Sequence, residues 1–280
     1  MTKSIAGIMG WPIGHSLSPR LHSFWLQLYG IEGSYEAFAV RPEDLPSALR
    51  GLKNEGLIGV NLTIPHKVAA CGIVDALDPT AQRIGAVNLV TVDEREKLLG
   101  SNTDAYGFTQ NLLTAGFRPE TGAAFVLGAG GACRAVLVAL QDMGFADIRI
   151  SNRTREHAEK LARELTTPQS RISVVEWDQA TRTFSGVDLL VNATSLGMTG
   201  QPALDFSLET LPRSASVADI VYAPLETDLL RSAKKRGHRT IDGLGMLLHQ
   251  ARPAFKAFFG CDPEVTEEVR KFVLAGEKQA

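Results

Sequence analysis

Two hydrophobic periods alternate almost from one end of the chain to the other. Ser4–Met9 is an apolar run of strand length. In Pro19–Tyr29, Leu21, Phe24, Trp25 and Leu28 fall at i, i+3, i+4 and i+7, which predicts a helix that Gly30 ends. Tyr35–Val40 alternates like a half-buried strand and Glu43–Lys53 has helical spacing. Leu57–Leu62 reads as a strand followed by a helix starting at Pro65. Val87–Val92 and Lys97–Gly100 flank the polar turn Asp93-Glu94-Arg95 as a hairpin. A helix over Ala105–Thr114 then precedes a more regular series. It predicts strands at Ala124–Leu127, Ile148–Ser151, Ile172–Val175, Val187–Val191 and Ser216–Ile220, with helices at Gly131–Met143 and Arg155–Leu165. Helix Thr227–Arg236 gathers Lys234, Lys235 and Arg236 before Gly237, where cations suit the helix dipole. Helices at Leu244–Phe259, bent by Pro253, and at Glu264–Ala275 close the chain.

Repeated β-α-β order implies an α/β protein whose sheets are mostly parallel and covered on both faces. The series restarts after residue 105 and gives way to helices alone after residue 243. This predicts a first domain over 1–105, completed by 243–280, and a second over 106–242. A length of 280 residues suits two domains of ordinary size, or one large α/β domain. With 44% apolar and 21% charged residues the chain is not disordered. Twenty-nine basic against 31 acidic residues leave a net charge of −2, which excludes a general electrostatic footprint for nucleic acid or anionic membrane. No apolar stretch approaches the roughly 20 residues that span a bilayer, and the N-terminal run is too short for a secretion signal. Cys71, Cys133 and Cys261 are far apart and show no CxxC spacing. A disulfide framework or structural zinc site is therefore not expected, and a cytoplasmic location is.

Candidate chemistry begins at Gly128-Ala129-Gly130-Gly131-Ala132, between a strand and a helix. There a glycine turn brings backbone close to a pyrophosphate, and the helix N-terminus offers unpaired N–H groups. The strict dinucleotide fingerprint wants Gly or Ala at position 133, where this chain has Cys133. About 20 residues on, a site for NAD should show an acidic residue for the ribose 2′-hydroxyl. This chain has Ser151-Asn152-Arg153-Thr154-Arg155 instead. An arginine fork there suits the 2′-phosphate of NADP, although a capped helix start with two solvated arginines has the same composition. After a glycine loop at the right distance, NADP is favoured.

The first domain carries polar residues that packing alone does not require. Ser18 suits a helix N-cap and Pro19 the N1 position, but Ser16 has no such structural reason. Together the two hydroxyls would make a neutral pocket for a carboxylate. Asn61-Leu62-Thr63-Ile64-Pro65-His66-Lys67 lies at a strand end, where open α/β sheets bind ligands. Lys67 taken alone is an ordinary surface lysine. Asn88 interrupts the apolar run Ala86–Val90, and either Asn102 or Asp104 suits a helix cap.

The ordered set SLSP, NLTIPHK, GAVN, NTDAYG, GAGGACRA, NRT, NATSLG, DIVYAP and DGLGMLLHQA resembles the shikimate dehydrogenase family from about residue 7 to about 253. The resemblance implies an α/β substrate domain, a Rossmann-type NADP-binding domain and C-terminal helices packing back on the first domain. It implies the reversible, NADPH-dependent reduction of 3-dehydroshikimate to shikimate, on the route to chorismate and the aromatic amino acids. Position by position it puts the substrate carboxylate on Ser16 and Ser18, helped by Thr63 and Tyr222. The ring hydroxyls fall to Asn61, Lys67, Asn88, Asp104 and Gln250. On the cofactor side it names Gly128, Ala129, Gly130, Gly131, Ala132, Asn152, Arg153, Thr154, Arg155, Thr194, the backbone at Ile220, and Gly243. His157 stands where family members often carry a further basic residue, and Arg155 is the candidate substitute.

Ketone reduction needs a hydride donor over the carbonyl carbon and a proton donor at its oxygen. The resemblance makes Lys67 and Asp104 that acid–base pair. His15 and His66 neighbour these motifs and are read as structural. Cys133, at the cradle, reads either as a small packing residue or, from its position, as a thiol sensitive to thiol reagents. The expected partner is the small-molecule substrate, with neither nucleic acid nor membrane, in a monomer or homodimer. One alternative is a shikimate/quinate dehydrogenase of dual specificity, against which the serines and Arg153 lean. Methylenetetrahydrofolate dehydrogenase shares the architecture but would not bring the SLSP and NTD motifs. A non-catalytic NADP-binding sensor is a second alternative, and it has no need of Lys67, Asp104 and Gln250.

Overall fold

The computed structural model describes residues 4–119 and 122–277. The chain divides into two units, 1–104 with 248–280, and 105–247. It leaves the first unit at the start of one helix and re-enters it inside another.

In the first unit the elements run β1 (Ser4–Gly10), α1 (Ser18–Leu28), β2 (Gly33–Ala39), α2 (Leu45–Arg50), β3 (Leu57–Leu62), β4 (Ala76–Leu77), α3 (Pro79–Ile84), β5 (Leu89–Val92) and β6 (Leu98–Ser101). The six strands form one sheet in the order β2-β1-β3-β5-β6-β4. β2, β1 and β3 are mutually parallel, β5 and β6 form the expected antiparallel hairpin, and β4 runs parallel to β6. One core packs Leu45, Leu49 and Leu52 with Val60, Leu62 and Val90. A second sets Ala6, Ile8, Tyr35 and Leu89 against Ala254 and Phe258.

The second unit begins within α4 (Asp104–Thr114) and continues with β7 (Ala123–Leu127), α5 (Gly131–Asp142), β8 (Asp147–Ser151), α6 (Arg155–Leu165), β9 (Arg171–Val174), β10 (Val187–Asn192), β11 (Ser216–Asp219), α7 (Asp228–Lys235) and β12 (Arg239–Ile241). Its sheet is wholly parallel in the order β12-β11-β10-β7-β8-β9. Counted from β7 this is the 3-2-1-4-5-6 order of a doubly wound dinucleotide-binding sheet. α8 (Gly243–Phe259) carries the chain back, and α9 (Glu267–Glu277) ends it. α9 lies on α1, where the Arg20 guanidinium donates to the Phe272 carbonyl at 2.7 Å and caps the Phe272 ring.

Three local expectations fail. No α-helix starts at Pro65. Residues 64–68 are turns, followed by a single 3₁₀ turn over Ala69–Gly72. The reason is a diverted carbonyl: Lys67 O accepts from the Val87 amide at 2.7 Å, outside the helical ladder. The helix expected over Glu43–Lys53 shrinks to a 3₁₀ turn, Pro42–Asp44, and α2. Ser18 does not cap α1 but is its first residue. Its own amide donates to Ser16 Oγ at 3.3 Å, so the structural reason for a hydroxyl belongs to Ser16.

Candidate active site

The chain leaves β1 towards β2 on one side and arrives at β3 on the other, a topological switch point. In open α/β sheets the crevice for a ligand lies beyond the carboxyl ends of such strands. Beyond β1 come Ser16 and the buried Ser18; the end of β3 carries Asn61, and beyond it come Thr63 and Lys67. Gly10 has no room for a side chain, because a Cβ there would meet Thr63 Cγ2 at 2.5 Å. The glycine thus lets Thr63 close on the end of β1.

Lys67, Asn88, Asp104 and Gln250 join one polar network. Lys67 Nζ lies 2.5 Å from Asp104 Oδ2, with the two side chains 14% and 5% exposed. The other carboxylate oxygen accepts from Asn88 Nδ2 at 2.8 Å. Asn88 Nδ2 also lies 2.9 Å from Thr103 Oγ1 and 3.3 Å from Gln250 Oε1, while Asn88 Oδ1 accepts from the Thr103 amide at 2.8 Å. Asn102 settles which residue serves the helix start. Its Oδ1 accepts from the Asp104 amide at 2.9 Å, and its Nδ2 donates to Ala86 O at 2.8 Å. Asp104 is thereby left to face Lys67 and Asn88. Nearby, Asn61 Nδ2 donates to Asn88 O at 3.0 Å and Asn61 Oδ1 accepts from the Tyr35 hydroxyl at 2.7 Å.

A buried ion pair stands only where its remaining polar atoms are also satisfied. Asp104 meets this condition through Asn88 and Lys67. The result is an ammonium held at a strand end by a carboxylate that cannot turn away. Such a group can stabilise negative charge developing on an oxygen and deliver a proton to it. His66 is structural: its Nε2 lies 2.8 Å from Val40 O, and burial lowers its pKa despite that bond. His15 is exposed. Tyr222 belongs to the second unit, in the segment after β11.

The second unit has its own switch point, between β7 and β10, and the glycine loop follows β7 there. Gly128 has φ +115°, and a Cβ on it would lie 2.8 Å from Ala193 O, so the turn and the close backbone approach both require glycine. Gly130 is the N-cap of α5, with no side-chain cap and no acidic residue in the first turn. A Cβ on Gly130 would meet nothing within 4 Å. With Ala129, Gly131 and Ala132 this makes an uncapped helix start at a switch point, which fits a pyrophosphate. At position 133 the thiol is fully buried and donates to Gly128 O at 3.1 Å, and burial pushes it up to about 12. A thiol so placed is a small buried packing residue, the first of the two readings of Cys133, and its burial argues against reaction with thiol reagents.

Past β8, Asn152 Nδ2 donates to Thr154 O at 2.8 Å and shapes the turn. Arg153 is exposed and makes no hydrogen bond or ion pair among the described residues. Arg155 differs, since Glu159, at 2.7 Å, and Glu176 hold its guanidinium. The fit to a 2′-phosphate therefore rests on Arg153 and Thr154 more than on Arg155.

Asn192, the first residue of the NATSLG motif, organises its loop. Its Oδ1 accepts from the Thr194 amide and hydroxyl, and its Nδ2 donates to Leu196 O and to Asp219 Oδ1. Asp219 also accepts from the Val221 amide and the Thr227 hydroxyl, and burial pushes its carboxyl up to about 6. This network fixes the backbone at Ile220, whose amide donates to Asn192 O at 3.0 Å. Gly243 has a packing reason as well: a Cβ there would lie 2.3 Å from Ile220 O. An interrupted apolar run, Asn192 after VDLLV and Asp219 after SVA, is the signal that marks both residues in sequence.

A sheet with an ion-paired lysine at its switch point and a dinucleotide-type sheet with a free arginine define a two-unit, nicotinamide-dependent oxidoreductase. Residues 8–90 match the family described as shikimate dehydrogenase substrate binding domain, and residues 115–199 match shikimate / quinate 5-dehydrogenase. The shikimate dehydrogenase (NADP(+)) of Paramagnetospirillum magneticum is 51% identical over 97% of this chain and 98% of its own. The crystal structure of the Thermus thermophilus shikimate 5-dehydrogenase with NADP(H) and shikimate superposes with a TM-score of 0.84 at 38% identity, covering 99% of each chain. The quinate dehydrogenase of Corynebacterium glutamicum in complex with NAD gives a TM-score of 0.90 at 28% identity, over 98% of this chain and 99% of that one. The chain belongs to the shikimate dehydrogenase family.

Proposed function

We propose that this chain reduces 3-dehydroshikimate reversibly to shikimate with NADPH, and that Lys67 and Asp104 handle the proton. The observation that carries the proposal is the buried Lys67–Asp104 pair at the end of a sheet strand, anchored by Asn88. Ser16, Ser18 and Thr63, with Tyr222 from the second unit, are the candidates for the substrate carboxylate. Asn61, Asn88 and Gln250 are the candidates for its ring hydroxyls. Gly128–Ala132, Asn152, Arg153, Thr154, Arg155, Thr194, Ile220 and Gly243 are the candidates for the cofactor. NADPH supplies a hydride to the carbonyl carbon. Lys67 stabilises the negative charge that then develops on the carbonyl oxygen and gives it a proton, and Asp104 keeps the ammonium aimed. In the reverse direction Lys67, as the neutral amine, takes the hydroxyl proton and becomes the ammonium again. Among the described residues no helix is long and apolar enough to cross a membrane. The free cysteines support a reducing, cytoplasmic setting.

Lys67→Met tests the assignment. Loss of a positioned acid lowers kcat by roughly 10²–10⁴-fold. Asp104→Asn should also lower kcat, with the thermal midpoint confirming that each variant folds. Near-normal turnover in Lys67→Met removes Lys67 from the chemistry.

A further inference from the structure

We infer that Tyr35 is a positioning residue for substrate recognition: its hydroxyl fixes the Asn61 side chain so that Asn61 offers the substrate an N–H donor. The inference rests on the reading that Asn61 contacts substrate. The two partners of the Asn61 amide settle its orientation. Asn88 O is a backbone carbonyl, an acceptor only, so the atom facing it at 3.0 Å is Nδ2. The atom facing Tyr35 at 2.7 Å is then Oδ1, and the phenol donates to it. One hydrogen of the Asn61 amide remains. It calls for an acceptor on the ligand, a hydroxyl or keto oxygen.

The sheet register explains how residues 26 positions apart meet. Tyr35 on β2 lies beside Ala6 on β1, and Ala6 lies beside Gly59 on β3, two residues before Asn61 on the same face. Alanine and glycine are small enough for the phenol ring to cross the middle strand. The ring is stacked on His22, with centroids 3.8 Å apart and planes 10° off parallel, and Phe258 packs at 6.3 Å. At 4% exposure the phenol cannot swing to water, and burial raises its pKa well above the ordinary value, so it stays a donor. Nothing in the reaction uses Tyr35 directly.

The test combines Tyr35→Phe, Asn61→Ala and the double variant, with KM for shikimate, KM for NADP and kcat measured on each. Tyr35→Phe keeps the stacked ring and removes only the donor. It should raise the shikimate KM about 3–10-fold, the range of one ordinary hydrogen bond, with the NADP KM unchanged. In the Asn61→Ala background the same change should add less than about twofold, because the residue it acts through is gone. If Asn61→Ala leaves the shikimate KM unaltered, the substrate-site reading fails and takes the inference with it. If Asn61→Ala raises that KM but Tyr35→Phe does nothing, multiplies with it, or raises the NADP KM equally, the inference alone is overturned.

Discussion

At the scale of single residues, the site separates groups that are engaged from groups that are free. Arg153 and Arg155 have the same chemistry and lie two positions apart, yet two glutamates hold Arg155 and, among the described residues, none holds Arg153. A charge-assisted bond to phosphate is worth about 1.5–3 kcal/mol, or roughly 10–150-fold. Arg153→Ser should therefore raise the NADP Kd by one to two orders of magnitude, and Arg155→Ser by only a few-fold. Titrating both variants with NADP by fluorescence or calorimetry checks this, and equal losses would contradict it. His22 presents the opposite case, a buried group with neither ring nitrogen hydrogen-bonded among the described residues. Burial lowers its pKa from 6.5 to about 3. The unfolded chain takes up a proton below pH 6.5 and the folded one does not until about pH 3, so stability is lost as pH falls through that window. His22→Phe keeps a ring against Tyr35 and abolishes the loss. Its thermal midpoint should pull ahead of the parent's as pH drops from 7 to 4, whereas a constant difference would show that His22 does not titrate this way.

At the scale of elements, what the sequence makes legible depends on how long and how local each signal is. β3 and α6 have the expected limits, since each carries a full period and clear boundaries. α3 lies outside the predicted elements although its signals are present. Asp78 accepts from the Ala81 amide at 2.6 Å, Pro79 opens the helix and Gly85 ends it at φ +69°. β12 has three residues, too few for a period, and the segment after Pro65 is decided by a bond from Val87 that no local pattern contains. Buried polar links between elements are the hardest to foresee, because they require the strand order. Asp219 on β11 is one, tied to Asn192 on β10 and to Thr227, the N-cap of α7. Its folded pKa of about 6 stands above the ordinary value of 3.8. Between these values the folded state holds a proton that the unfolded state has lost, so its contribution to stability falls as pH rises to about 6 and then stays constant. Asp219→Asn removes that slope. Midpoints of parent and variant should diverge between pH 4 and 6 in the variant's favour and run parallel above; parallel curves throughout would place the carboxyl's titration elsewhere.

At the scale of the whole molecule, the alternation of strands and helices carried the fold class, and nine ordered motifs carried the family. Four of the nine, SLSP, NLTIPHK, GAGGACRA and NATSLG, fall where sheet topology leaves room for a ligand, beyond the ends of β1, β3, β7 and β10. The chain crosses between units at Asp104 and again at Leu248, so Asp104 and Gln250 both lie close in sequence to a crossing. Motif order alone does not show that Asn61, Asn88, Asp104 and Gln250 form one network with Tyr35 behind it, since strand neighbours are invisible in one dimension. Specificity for shikimate and for NADP is read out by steady-state turnover of shikimate and quinate, each with NADP and with NAD. Shikimate with NADP should exceed every other pairing in kcat/KM by roughly tenfold or more, the scale of one lost phosphate or pocket contact. Quinate with NAD turning over as well as shikimate with NADP, or no turnover in any pairing, would contradict it.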